Sequence, residues 1–262
     1  TTEHVAYAES LLSVIPSALH EMIHSPLGAQ SILYCLLIPK DSKQEKHSLM
    51  LLKDHLDNTQ LTQISNNLQA IHQLGSRLRL PLIDLATSPL KTLDFKARKT
   101  FLNNINVLIK ADNKVTLFEY TVLSLLKKHL GAHPGKADKV RFRSFKPILD
   151  ELNILISILI HISGEHAAEK TALHHRVMSS FINTPLPLLE RSACNVQVLD
   201  MALNKLDQLN PILKRNVLSA CADCVLNDGI VQVQEAETLR AIASALNCPM
   251  PPLLDMQKKL PG

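Results

Sequence analysis

The motif H-E-x-x-H occurs near the start of the chain, over residues 20–24. On a helix this spacing places two imidazoles, here His20 and His24, one turn apart on a single face, where they can bind zinc. The intervening glutamate, here Glu21, then serves as general base for a metal-bound water. These residue types and this spacing would suit a zinc peptidase.

The surroundings of the motif favour a structural interpretation. Pro16 and Pro26 confine the segment to barely two helical turns, and no later motif supplies a clear third zinc ligand. His20 and His24 lie off the apolar stripe, which consists of Leu12, Ile15, Leu19 and Ile23. We therefore expect a solvent-facing helix surface and keep a stand-alone zinc peptidase using His20, Glu21 and His24 as the alternative.

Cys221 and Cys224 form a CxxC pair, which could be redox-active or supply half of a zinc site. Residues 196–246 align with residues 80–130 at an offset of 116, as described below, and in that alignment the two cysteines correspond to Ile105 and Leu108. Both of these residues lie on the apolar stripe of an expected helix. Free cysteine is among the most buried residue types. We expect both thiols to be buried and to act as small hydrophobic side chains.

Two acidic sets, Asp112 with Glu119 and Asp228 with Glu235, could hold a divalent ion. An EF-hand loop is excluded because it needs oxygen ligands at earlier positions, where this chain has apolar residues. A helix stop followed by a helix cap already explains the acidic residue types. A looser ion site of the sensor kind stays open as an alternative.

The chain carries an internal duplication, because residues 80–130 align without a gap with residues 196–246 at an offset of 116. Identical pairs recur along the alignment and include Asp84 and Asp200, Ala86 and Ala202, Leu90 and Leu206, Leu102 and Leu218, Leu123 and Leu239, and Leu130 and Leu246. Such self-similarity predicts two copies of one structural unit.

The second copy has clear helix signals. Asn210 is a favoured N-cap, Pro211 fits the first helical position, and Asp228 with Gly229 marks a stop. An apolar stripe runs between these signals through Leu213, Val217, Cys221, Cys224 and Val225.

The first copy has the same organisation with different residues. Asp94 is the expected cap, and Asp112 with Asn113 is the expected stop. Thr116 and Glu119 then have the spacing of a capping box at the start of the next helix.

Composition supports an all-helical protein. Of 262 residues, 46% are hydrophobic and only 3% aromatic, with seven glycines and no tryptophan. Sheets favour aromatics, and their turns consume glycine. The five cysteines are an odd number scattered through the chain, so we expect reduced thiols rather than a disulfide framework.

The net charge of +4 is mild. Basic residues concentrate in one stretch, which contains Lys136, Lys139, Arg141, Arg143 and Lys146. A solvated linker is the expected role, with a patch for acidic lipid as the alternative, and the shortage of stacking aromatics argues against nucleic acid. The longest apolar run, residues 152–162, falls short of the roughly 20 residues of a membrane span.

We predict an all-α protein in which about a dozen helices form a helical bundle with two related repeats. Four segments are expected along the chain. They are an N-terminal helical region over residues 1–79, the first repeat over 80–130, connecting helices over 131–195, and the second repeat with its tail over 196–262.

Several motifs together carry a family resemblance. The segments 111–115 (ADNKV) and 227–231 (NDGIV), each followed by Glu119 or Glu235, resemble the Asp-Gly signature of TerB-like helical domains. The wider pattern resembles the C-terminal region of bacterial HtpX-like membrane zinc metallopeptidases of the CAAX-prenyl-protease type. It consists of 3–8 (EHVAYA), 25–30 (SPLGAQ), 80–86 (LPLIDLA), 117–120 (LFEY) and 248–254 (CPMPPLL).

The resemblance implies a longer parent protein whose membrane and protease portion, with its own zinc-binding H-E-x-x-H, precedes Thr1. It places no zinc signature at residues 20–24, so no catalytic residue is assigned to this chain and no cofactor is expected in it. Asn113 stands where the family's Asp-Gly element has glycine, which departs from the pattern in the first repeat.

The sequence thus predicts a non-catalytic module that regulates, or recruits protein partners for, a membrane zinc metallopeptidase. Its expected place is the cytoplasmic side of the bacterial inner membrane, reached through the parent protein. Its expected partners are proteins or the parent's protease portion, without nucleic acid, and the piece itself is expected to be soluble. The stand-alone zinc peptidase and the divalent-ion sensor are the alternatives.

Overall fold

The computed structural model describes residues 15–112, 115–131, 140–162, 167–184, 186–227 and 232–248. These residues contain twelve α-helices and three short 3-10 segments, and their β structure is limited to one isolated bridge between Phe142 and Leu209. The all-α prediction is therefore confirmed. The chain divides into two compact units, Thr1–Pro134 and Gly135–Gly262, and the division falls inside the region expected to connect the repeats.

The helices have the following bounds. The first unit contains α1 (Ser17–Ile23), α2 (Pro26–Leu37), α3 (Ser42–Lys53), α4 (Asn58–Gln73), α5 (Arg79–Leu90), α6 (Phe95–Ile109) and α7 (Leu117–Leu130). The second unit contains α8 (Leu149–Ile162), α9 (Ala167–Met178), α10 (Val196–Leu206), α11 (Pro211–Val225) and α12 (Val233–Ala245).

Helix α2 lies at the centre of the first unit and packs against α1, α4, α5 and α6. Its start is fixed by Ser25, whose hydroxyl accepts a hydrogen bond from the Gly28 backbone N–H at 3.1 Å, and by Pro26 at the first helical position. A Cβ at Gly28 would lie 2.0 Å from the Met22 carbonyl oxygen, so the close approach of α1 to α2 requires glycine there.

Helix α8 is the corresponding centre of the second unit, and it packs against α9, α10, α11 and α12. Eight of its 14 residues are buried, because apolar side chains occur on every face of the helix. A helix that is hydrophobic all round belongs in a protein interior or a membrane. Within the described residues, no helix has the length and apolar character needed to cross a bilayer.

The repeated helices agree with the sequence alignment. Helices α6 and α11 both have 15 residues, and their bounds, 95–109 and 211–225, differ by 116 at each end. The predicted N-caps are confirmed: the side chain of Asp94 accepts from Ala97 N at 2.7 Å and that of Asn210 from Ile212 N at 2.8 Å. The duplication itself stays a prediction.

The helix ends differ slightly from the expectation. Helix α6 ends at Ile109 and α11 at Val225, each three residues before the aspartate that was expected to stop it. The residue after each helix still donates to the carbonyl four residues earlier, Lys110 to Asn106 at 3.1 Å and Leu226 to Ala222 at 2.9 Å, and a short turn follows. Asp112 lies at the end of such a turn, whereas Asn113, Asp228 and Gly229 fall outside the described residues.

Candidate functional site

The H-E-x-x-H segment occupies α1 and its C-cap. His24 caps the helix with right-handed helical backbone angles, so the one-turn spacing from His20 persists past the last helical residue. The two imidazole rings meet edge to face with their centroids 5.0 Å apart. His20, Glu21 and His24 are all exposed, which confirms the expected solvent-facing surface.

A catalytic zinc site takes three protein ligands and leaves a fourth position open. Among the residues that the structure describes, no group of three or more His, Cys, Asp or Glu side chains is placed to hold a metal ion. The described part of the chain thus offers His20 and His24 as a pair of imidazoles without a third ligand.

The CxxC pair lies in the core of the second unit. Cys221 is fully buried and Cys224 nearly so, which confirms the prediction, and the corresponding Ile105 and Leu108 of α6 are buried as well. Burial raises the pKa of the Cys221 thiol well above its ordinary value, and the nearby Cys224 and Asp223 raise it further. The thiolate is the reactive form, so this environment suppresses nucleophilic and redox chemistry.

The first acidic set is partly assembled. Thr116 and Glu119 form the predicted capping box: a Glu119 carboxylate oxygen accepts from the Thr116 backbone N–H at 2.7 Å and from its hydroxyl at 2.8 Å. Burial is the main cause that raises the pKa of Glu119, and the negative charge of Asp112 raises it further. Asp112 and Glu119 are therefore close enough to interact electrostatically.

The second acidic set has only one member among the described residues. Glu235 is 2% exposed and accepts a hydrogen bond from the Gln232 backbone N–H at 2.8 Å, so it too closes a capping box at the start of a helix. Asp228 lies outside the described residues, so its expected role as a helix stop and the alternative of an ion site shared with Glu235 both stay predictions.

Sequence reasoning missed a row of polar side chains on α8. Asn153, Ser157 and His161 follow one another at intervals of four residues and bind the backbone of a segment without regular secondary structure, residues 186–190. Asn153 donates to the Pro187 carbonyl at 3.1 Å. The Ser157 hydroxyl accepts from the Leu189 N–H at 3.2 Å, and His161 Nε2 donates to the carbonyl of the same residue at 2.7 Å.

His174 of α9 completes this polar row. Its Nε2 donates to the Asn153 side-chain oxygen at 2.7 Å, and the residue is only 2% exposed. Burial, together with the neighbouring His175 and His161, lowers the pKa of His174 to about 4. His174 is therefore neutral near pH 7 and links α9 to α8 through Asn153.

A buried ion pair was also missed. Lys214 Nζ in α11 contacts the carboxylate of Asp207, which follows α10. The two residues are 7% and 8% exposed. Asn247, which follows α12 with a φ of 54°, donates to both Asp207 oxygens at 3.3 and 3.2 Å. This cluster joins the ends of three helices.

The sequence does contain signals for both features. Lys214 precedes Val217 and Cys221 by three and seven residues, so it lies on the buried stripe of α11, where a cation needs a partner. Asn153 and Ser157 interrupt an apolar run at helical spacing, which marks polar side chains that must find partners inside the protein.

No protein-family model, no curated protein sequence and no solved structure matches this chain.

Proposed function

We propose that this chain is a non-catalytic, partner-binding module of a membrane zinc metallopeptidase, built from TerB-like repeats and located on the cytoplasmic side of a bacterial inner membrane through its parent. The family proposal rests on the sequence resemblance described above. The observation that favours a non-catalytic role is the geometry at His20 and His24, two exposed imidazoles without a third ligand among the described residues.

In this role the module acts through binding. A surface that holds a substrate protein or an assembly partner near a protease raises the effective concentration of that partner without contributing a reacting group. It can also orient the partner relative to the protease's own zinc site. The zinc of the proposed parent would be held by residues before Thr1, so no catalytic step passes through this chain.

The decisive experiment removes residues 1–262 from the parent protein. Zinc content is expected to stay unchanged, while the set of cleaved substrates, the cleavage rate or the assembly state changes. An unchanged substrate profile, rate and assembly state would refute the proposal. The coding sequence before Thr1 provides a quick first check, because it should encode a hydrophobic portion and a second H-E-x-x-H.

Measurements on the purified chain alone distinguish the peptidase alternative from the proposed non-catalytic role. Under the proposal, protein purified without chelator carries no stoichiometric zinc and does not cleave unfolded casein at any zinc concentration. One zinc per chain, lost in a His24→Ala variant, together with chelator-sensitive casein cleavage, would establish the peptidase and overturn the proposal.

One observation favours the divalent-ion sensor as a second candidate. Asp112 and Glu119 are close enough for the charge of one to raise the pKa of the other, and a bound cation would relieve that repulsion. A ligand that binds only the folded state raises the melting temperature, and the stabilisation grows with the logarithm of the ligand concentration divided by Kd. Calcium or magnesium should therefore stabilise the wild type, and not an Asp112→Ala variant, if the sensor proposal is correct.

A further inference from the structure

An open groove lies between α3 and α6 in the first unit and has a volume of about 550 Å³. Its apolar lining comes from Leu51, Val107 and Ala111, and polar side chains of His47, Asn103 and Lys110 surround it. Binding pockets commonly enclose about 300–1,000 Å³ and combine apolar walls with a few polar groups. The groove, called the α3–α6 groove below, is large enough for several side chains of a binding partner.

Lysine side chains lie beyond the lining residues on both helices, on the same helix faces. On α6, Lys96 and Lys99 precede Asn103 by seven and four residues, so they lie on the same helix face. On α3, Lys43 precedes His47 by four residues in the same way. All five of these side chains are exposed, and Lys110 at the far end is exposed as well.

The two helices, taken with the acidic residues at their ends, are modestly basic. Residues 41–54 and 94–112 contain seven basic side chains against five acidic ones, an excess of 7 − 5 = 2, and the acidic residues are Asp41, Glu45, Asp54, Asp94 and Asp112. The basic side chains are Lys43, Lys46, Lys53, Lys96, Arg98, Lys99 and Lys110. Such local fields attract segments of opposite charge.

The two helices that form the groove also carry exposed apolar side chains. Met50, three residues after His47 on α3, is 71% exposed, and Phe95, four residues before Lys99 on α6, is 59% exposed. Apolar side chains beside a concave, positively charged surface add contact area for a partner that is itself amphipathic.

We propose that the α3–α6 groove binds an acidic, amphipathic segment of a partner protein. Its apolar side chains enter the groove against Leu51, Val107 and Ala111, and its carboxylates face the lysines of the edges. The Asn103 amide is placed to hydrogen-bond such a segment. This inference rests on the proposed partner-binding function and specifies the surface and the chemistry of the partner.

The lining favours a peptide over other polyanions. Single-stranded nucleic acid without sequence preference is held by aromatic platforms on which bases stack, and the groove lining contains no Phe, Tyr or Trp. A bilayer surface would meet the lysines but leave the apolar lining unfilled. A helix with apolar side chains at positions i, i+4 and i+7 fills such a groove and carries its charges on the flanks.

The test uses the whole chain and a fluorescein-labelled 16-residue peptide with leucine at positions i, i+4 and i+7 of its helix and glutamate on the flanks. Fluorescence anisotropy at 50 mM and 150 mM NaCl should give a Kd on the order of 10–100 μM that rises with salt. A peptide of the same composition with a scrambled order should bind at least about tenfold more weakly, because its apolar side chains no longer share one face.

Two matched triple variants locate the binding surface. Lys96→Glu, Lys99→Glu and Lys110→Glu together should weaken peptide binding at least about tenfold. The control combines Lys127→Glu, Lys91→Glu and Arg215→Glu, three exposed positions outside the groove lining that change the net charge equally. The control should stay within about twofold of the wild type at 150 mM NaCl.

Several results would overturn the inference. These are no binding of the peptide by the wild type, equal loss in the two triple variants, and binding of a 20-base-pair RNA duplex or phosphatidylserine vesicles by the same three lysines in place of the peptide. If the triple variant loses its circular dichroism signal, the single Lys110→Glu variant replaces it. A negative result in this binding test refutes only the assignment of partner binding to the α3–α6 groove. The proposed function is tested separately, by deletion of the module from the parent.

Discussion

Each of the two units has a central helix that packs against four others, but the interiors of the units differ in polarity. In the first unit the central helix contributes Tyr34, whose ring meets Phe101 edge to face at 5.4 Å and whose hydroxyl accepts from Asn104 at 3.2 Å. In the second unit the central helix contributes Asn153, which joins His174 to the Pro187 carbonyl. The same helical frame can therefore be filled by aromatic packing or by a titratable network.

The difference extends to buried charge. The second unit encloses Asp207 against Lys214, whereas the positions 116 residues earlier carry Lys91 and Arg98, two residues of like charge. Lys91 is exposed to solvent and follows the last residue of α5. At the aligned positions of the first unit, two basic side chains cannot form such an ion pair.

The largest expected effect comes from breaking that pair. Asp207→Ala leaves Lys214 buried without its carboxylate and should destabilise the protein by roughly 3 kcal/mol, because an uncompensated buried charge is costly. Urea unfolding measures the loss, and hydrogen exchange should place it in the second unit. Lys91→Ala, the equivalent change in the first unit, should alter stability by less than about 0.5 kcal/mol.

A compensating variant sharpens this test. Asp207→Leu combined with Lys214→Met replaces both charges with apolar side chains and should recover most of the lost stability, since such exchanges are often neutral. If the double variant is as unstable as Asp207→Ala, the hydrogen bonds from Asn247 matter more than the ion pair.

The next effect is a pH dependence confined to the second unit. The pKa of His174 is lowered from the ordinary 6.5 to about 4, so the unfolded chain binds this proton more readily than the folded one. Stability from this residue is therefore complete above pH 6.5 and is lost as the pH falls towards 4. We expect a loss of roughly 3 kcal/mol between pH 7 and pH 4.

His174→Gln isolates that contribution, because the glutamine amide can still donate to Asn153 but does not titrate. The variant should unfold with a weaker pH dependence between pH 6.5 and 4, measured by urea denaturation at several pH values. An unchanged dependence would show that the pH response comes from other groups.

A smaller effect is expected from the aromatic interior. Tyr34→Phe keeps the ring against Phe101 but leaves the buried Asn104 amide without the hydroxyl acceptor, at a cost of about 1–2 kcal/mol. The loss should not vary between pH 4 and 8, because burial raises the pKa of Tyr34 above its ordinary 10.0. A marked pH dependence of the stability loss in Tyr34→Phe would contradict the proposed difference between the interiors of the two units.

The smallest expected effect comes from Glu119, whose contribution to stability changes with pH in the opposite direction to that of His174. Burial raises the pKa of Glu119, so the folded state holds this proton more tightly and its contribution to stability falls as the pH rises. Glu119→Gln should therefore remove a destabilisation above the ordinary pKa of 4.5 while weakening the capping box. We expect a net change below about 1 kcal/mol, resolved by comparing melting temperatures at pH 4 and pH 7.

Local sequence signals predicted much of the fold. The caps Asp94 and Asn210, the capping box of Thr116 and Glu119, and the buried thiols follow from rules that act within one helix turn or one helix face. Those rules were enough to give the all-α class. They placed the ends of α6 and α11 less well, because Ile109 and Val225, the last helical residues, are not residue types that mark a helix end.

Long-range features could not be predicted in the same way. The pairing of Asn153 with His174 joins two helices across 21 residues, and the α3–α6 groove forms between segments separated by more than 40 residues. The pattern of α8 shows that Asn153 needs a partner but does not identify it. The identity of a partner depends on how helices pack, which one-dimensional periodicity does not specify.

The attachment of residues 186–190 to α8 has an evolutionary consequence. Its hydrogen bonds reach the backbone at Pro187 and Leu189, and each amino acid type supplies a carbonyl group while all but proline supply an N–H. Side chains in this segment can therefore drift among related proteins while the attachment persists, whereas Asn153, Ser157 and His161 cannot change freely. Selection should act on the helix and leave the bound segment variable.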